Sequence, residues 1–114
     1  MYHLKTCSTC ARIIRDLDLP SDCQLQDIKS DPITEEQLDQ LKEMVGTYEA
    51  LFSRKAIKYR EWKLSEKKLT EQDFKSYILE EYTFLKRPVI VIDQDIFIGN
   101  SKDIIKAANT TLHA

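Results

Sequence analysis

The chain has 114 residues, enough for one compact core and too few for two, so a single domain over 1–114 is expected. Its 17 basic and 19 acidic side chains leave a formal charge of −2, which excludes the global positive field that would recruit nucleic acid or an anionic membrane. With 42% apolar and 32% charged residues, 2 Gly and 3 Pro, the composition argues against extensive disorder, and no apolar run approaches the roughly 18 residues of a membrane span.

Met1-Tyr2-His3-Leu4 is short and aromatic and predicts a clipped first strand. From Thr9 the apolar residues Ala11, Ile13, Ile14 and Leu17 fall at three-and-four spacing, the mark of a helix, and Leu19-Pro20-Ser21-Asp22 supplies a stop. Gln24 to Ile28 alternates polar with apolar, as a half-buried strand does, and ends at the Ser30-Asp31-Pro32 turn. Thr34 with Gln37 forms a capping-box opening for a helix carrying Leu38, Leu41, Met44 and Val45, closed by Gly46. Residues 47–64 mix aromatic and aliphatic residues with Arg54, Lys55, Lys58 and Arg60 and suggest short helices with a basic flank.

Thr70 opens a further helix with Phe74, Tyr77, Ile78 and Tyr82 on one face, ending near Lys86. After Arg87-Pro88 the β-branched run Val89 to Ile92, a turn at Gln94-Asp95 and Ile96 to Ile98 predict a hairpin. The continuous apolar first arm suggests a strand buried on both faces at the centre of a sheet. Ser101 opens a last helix with Ile104, Ile105 and Ala108.

Three cysteines and no export signal, since residues 1–20 carry charges where a signal peptide needs an apolar stretch, point to a cytoplasmic protein without a disulfide framework. Cys7 and Cys10 are separated by Ser8-Thr9 at the start of the first helix. The thiolate is the nucleophile in thiol chemistry, and a helix N-terminus lowers a thiol's pKa through its unpaired N–H groups and dipole. Cys7 is therefore the candidate nucleophile, and Cys10, one turn in, the resolving thiol. The competing reading is half of a zinc site, but Cys23, His3 and His113 offer no second pair at ligand spacing, so no metal is expected. Cys23 reads as a small buried apolar residue, or else as a further resolving or metal-binding thiol. His3 either stabilises the Cys7 thiolate as an imidazolium or ends the first strand at the surface. Pro88 is either a strand-start proline or a cis-proline packed against the dithiol, the latter favoured by its place before a buried strand.

A strand, a dithiol and a helix, followed later by a hairpin that begins with Pro, is the organisation of thioredoxin-like domains. Over nearly its whole length the sequence resembles the ArsC/Spx group of that fold. Tyr2-His3-Leu4-Lys5-Thr6-Cys7 is similar to the group's Tyr-His-Asn-Pro-x-Cys segment, and Cys7-Ser8-Thr9-Cys10 to the Cys-x-x-Cys of Spx-like members. Leu51 to Arg60 is similar to its Leu-Phe-Asn-Thr-Arg-Gly-Thr-x-Tyr-Arg block, and Leu85-Lys86-Arg87-Pro88-Val89 to Ile-Lys-Arg-Pro-Ile/Val. The resemblance implies an α/β fold with a mixed central sheet, flanking helices and a helical insertion between the second strand and the hairpin.

It also implies a glutathione- or glutaredoxin-linked reductase with Cys7, Cys10 and His3 as catalytic residues. Arg87, Lys55, Arg54 and Asn100 would then bind an oxyanion substrate, with Thr9 and Pro88 shaping the site. No bound cofactor is implied; glutathione or a glutaredoxin would serve as reductant. The arginine set departs from the group's: Lys55 stands at the Thr-Arg position beside Arg54, Arg87 is retained, and Gly99-Asn100-Ser101 replaces Gly-Arg-Pro. A lysine neutralises an oxyanion without gripping it bidentately, and asparagine brings no charge. Arg54, Lys55 and Arg60 also read as a solvated basic face. The alternative function is that of the Spx-like regulators, in which the dithiol senses oxidation and the domain docks on RNA polymerase rather than on nucleic acid directly.

Overall fold

A computed structural model describes residues 1–20 and 23–113. They fall into two compact units, Met1–Asp31 with Arg87–Ala114 and, between these segments, Pro32–Lys86.

The first unit holds a four-stranded mixed sheet. Its strands are β1 (Tyr2–His3), β2 (Gln26–Asp27), β3 (Val89–Ile92) and β4 (Asp95–Ile98), in the order β2-β1-β3-β4. β1 runs parallel to β2, with His3 opposite Asp27, and antiparallel to β3. β3 and β4 form the expected hairpin, but its two-residue turn is Asp93-Gln94, one position earlier than the sequence suggested. Asp93 takes the left-handed conformation (φ 54°) that the tight turn needs and that a short polar side chain tolerates.

Helix α1 (Ser8–Leu17) crosses over from β1 to β2, and α5 (Lys102–Leu112) follows the hairpin, capped by the Ser101 hydroxyl accepting from the Ile104 amide. Ile13 and Leu17 of α1, Ile90 of β3 and Ala108 of α5 form one buried cluster, with Ile92, Phe97 and Ile105 packed against it. His113, weighed above as a metal ligand, hydrogen-bonds through Nε2 to the Leu17 carbonyl at 2.7 Å and so ties the end of α5 to the end of α1.

Helix α1 itself ends as expected after Leu17, the last periodic residue, with Asp18 in the left-handed conformation; Ser21 and Asp22 of the expected stop lie outside the described residues. Several other expectations need correction. The inward face of α1 carries Cys10 rather than the exposed Ala11. The second strand has two residues instead of five, and Leu25 is 47% exposed while Ile28 is buried, so the alternation marked a loop leading into a short pairing. In β3 only Val89 and Ile90 are buried; Val91 faces out, so the apolar run is buried on both faces only at its start.

The second unit is the expected helical insertion. Helix α2 (Glu35–Val45) opens with a complete capping box between Thr34 and Gln37 and closes at Gly46, whose φ of 96° a side chain would strain. Short turns at Glu49–Leu51 and Leu64–Glu66 flank α3 (Ile57–Glu61). Helix α4 (Glu71–Glu80) carries a second capping box, Thr70 with Asp73. It stops at Glu80, before the Tyr82–Phe84 turn, rather than near Lys86. Phe52 lies 5.1 Å from Phe84 and 4.9 Å from Phe74, ring centre to ring centre, and Trp62 lies 5.4 Å from Phe84. These rings bury the faces of several short elements that could not persist alone.

Candidate functional site

The site is built at the junction of β1 and α1. The Cys7 amide donates to the Leu4 carbonyl at 2.9 Å, closing a turn through Lys5 and Thr6 that delivers Cys7 to the N-cap of α1. Cys7 keeps an extended backbone (φ −86°, ψ 115°) at the N-cap and makes no capping hydrogen bond through its side chain, so the free amides and dipole of the first helical turn act on its sulfur electrostatically. Partial burial pushes the Cys7 thiol up, but the amides of Cys10 and Thr9, the Cys10 thiol and the Arg87 guanidinium together outweigh it. The net shift is below the ordinary thiol value. Cys10 moves the opposite way: burial pushes it up, contact with Cys7 adds to that, and the Leu4 backbone and Arg87 only partly offset it. Both sulfurs are free thiols, Cys7 half-buried and Cys10 buried.

Arg87 is half-buried and immediately precedes Pro88, which is buried and joined to it by a cis peptide bond. The Pro88 carbonyl accepts from the Gly99 amide at 2.9 Å, which fixes this segment against the end of β4. The sequence-predicted residues thus brought to one place are Cys7, Thr9, Cys10 and Arg87. Asn100 is exposed in the loop between β4 and Ser101.

His3 is buried, which removes the reading of it as a surface strand end. Burial is the main reason its imidazole is held below its ordinary value, with Asp27 opposing. A histidine held in this direction is neutral near pH 7, and the cation that acts on Cys7 is Arg87. Arg54 and Lys55 belong to the second unit. Arg54 pairs with Glu49 at 2.8 Å and lies over the Phe74 ring, and Lys55 is exposed. Cys23 is half-buried rather than buried, its sulfur 4.0 Å from the Gln24 carbonyl. Among the described residues no group of three or more His, Cys, Asp or Glu side chains is arranged to hold a metal ion.

Asp27 escaped the sequence reading. Its carboxylate accepts from the Lys5 amide at 3.1 Å, beside the dithiol turn. The Ser30-Asp31-Pro32 turn was legible in the sequence, but nothing in it announces a reach from Asp27 to Lys5.

The ArsC family model matches residues 2–108. The chain belongs to the ArsC family. Family membership supports, in general terms, a thiol redox protein, and the dithiol is the group that would carry that chemistry. The fold is also that of several solved structures. The YFFB protein is similar with a TM-score of 0.79 at 19% identity, covering 97% of this chain and 96% of its own. An arsenate reductase from Vibrio cholerae is similar with a TM-score of 0.77 at 19% identity, over 93% and 92%. An arsenate reductase (ArsC) related protein from Brucella melitensis has a TM-score of 0.67 at 25% identity, over 93% and 89%. No curated protein sequence gives a significant match.

Proposed function

We propose that the protein is a dithiol reductase in which Cys7 attacks and Cys10 resolves, with glutathione or a glutaredoxin restoring the reduced pair. The observation that carries this reading is the placement of the two thiols, Cys7 half-buried at the N-cap of α1 and Cys10 buried one turn in, and their proton affinities shift in the matching directions, Cys7 down and Cys10 up. In the first step the Cys7 thiolate bonds to the substrate atom, a disulfide sulfur or the arsenic of an arsenate-type oxyanion, and the leaving thiolate or water departs. In the second, Cys10 loses its proton and attacks the Cys7 sulfur. The bond from Cys7 to the substrate breaks with its electron pair going to the substrate, which is reduced by two electrons as the Cys7–Cys10 disulfide forms. Two glutathione thiols, directly or through a glutaredoxin, return those electrons.

Arg87 is the proposed anion contact, because its charge already acts on both sulfurs. Asn100 is proposed as a secondary contact, and a reducing cytoplasm is the setting in which a glutathione-linked cycle would run. The test is reductant consumption by the purified protein with glutathione and glutaredoxin, in separate arms with arsenate and with a small disulfide. Turnover lost in Cys7→Ser supports the reading. No turnover in either arm, together with normal closure of the Cys7–Cys10 disulfide by peroxide, would overturn it in favour of an Spx-like sensor that docks on RNA polymerase.

A further inference from the structure

We propose that Asp27 is a positioning residue for the dithiol, holding the β1–α1 turn through the Lys5 amide so that Cys7 and Cys10 keep their places. The inference rests on the dithiol reading above. Asp27 Oδ1 accepts from the Lys5 amide at 3.1 Å and the Lys29 amide at 3.5 Å, while Oδ2 accepts from the Ser30 hydroxyl at 2.9 Å. One carboxylate therefore clamps its own turn after β2 and, across the parallel pair, the second residue of the Leu4–Cys7 turn. That turn acts on both thiols. Its closing bond is the Cys7 amide to the Leu4 carbonyl, and the Leu4 backbone also lowers the Cys10 thiol.

The arrangement is anchored on both sides. β1 and β2 are in register with His3 opposite Asp27, and the Ile28 amide donates to the His3 carbonyl at 3.0 Å. The Asp31 amide donates to the Asp27 carbonyl at 2.8 Å, which closes the turn beneath the carboxylate. Asp27 is held below the usual carboxylate range because the Lys5 amide, the Ser30 hydroxyl and the Lys29 amide stabilise its charge. A charge-assisted bond to a backbone amide is stronger than a neutral one, so a carboxylate is the suited group for holding a turn that no strand pairing reaches.

The test measures iodoacetamide rates at Cys7 and Cys23 by mass spectrometry in wild type, Asp27→Ala and Asp27→Asn at about pH 6.5, with amide exchange at Lys5. Asp27→Ala is expected to slow Cys7 by about three- to tenfold as the helix amides lose their aim at its sulfur. Lys5 exchange should quicken, and Cys23 should react at the wild-type rate. Asp27→Asn keeps an oxygen for the Lys5 amide and should restore Cys7 to within about twofold. The proposal is overturned if Cys7 reacts equally in all three proteins. It is also overturned if both variants slow Cys7 equally while Cys23 speeds up, which marks general loosening. If Cys7 is no faster than Cys23 in the wild type, the dithiol reading itself fails, an outcome separate from the others.

Discussion

Cys7 and Cys10 stand one helical turn apart at the start of α1, yet their proton affinities move in opposite directions. Position decides the difference. At the N-cap, Cys7 is lowered by the nearby amides of Cys10 and Thr9, whereas Cys10 lies on the buried face of the helix, where desolvation and its neighbour's sulfur outweigh the Leu4 backbone.

Mild oxidation should close a disulfide between Cys7 and Cys10, since this spacing at a helix start brings the sulfurs within bonding reach. Mass spectrometry of peroxide-treated protein should show the loss of about two mass units, mapped to the peptide holding both residues. Linkage to Cys23 instead would contradict the assignment.

Alkylation should separate the thiols by pH. A cysteine whose pKa is lowered keeps its reactive thiolate as pH falls below the free-thiol value of about 8.5, and one whose pKa is raised stays protonated past it. Cys7 should therefore react first on the acid side and Cys10 last. Equal rates across about pH 6 to 8 would remove the basis for naming Cys7 the nucleophile.

Arg87→Ala should weaken sulfate or arsenate binding by about ten- to a hundredfold, the effect of losing one charge-assisted pair. Arg87→Lys should recover part of that, because the ammonium keeps the charge and loses the fork, and Asn100→Arg should strengthen binding. Isothermal titration across the four proteins decides it. Unchanged affinities with a dithiol that still oxidises would count against the anion contact.

Leu17→Ala should cost about 2–5 kcal/mol in denaturant unfolding, because Leu17 is fully buried in the cluster that joins α1, β3 and α5. Thr34→Ala should cost only about 1 kcal/mol, the usual worth of an N-cap, since its bond is local to the first turn of α2. A reversed order would show that the first unit's core tolerates a cavity better than its packing indicates.

The sequence by itself determined whatever is local in the chain. Thr34 with Gln37, Thr70 and Ser101 each mark a helix start because a cap bonds within three residues, and these marks survive in the structure. The hairpin from Val89 to Ile98 and the Cys7-x-x-Cys10 helix start were legible for the same reason, and motif likeness extended that to the family. Tertiary structure alone decided what depends on contacts across space. Gln24 to Ile28 alternates like a strand but pairs only at Gln26 and Asp27, because pairing length is set by the short β1 beside it. His3 became buried and Cys23 half-exposed because burial depends on which elements cover a residue, not on its type. Arg87 reaches the dithiol, and Asp27 holds the Lys5 amide, only because the sheet brings β1 beside both β2 and β3. Each is a bond between distant points of the chain, and no local pattern encodes its partner.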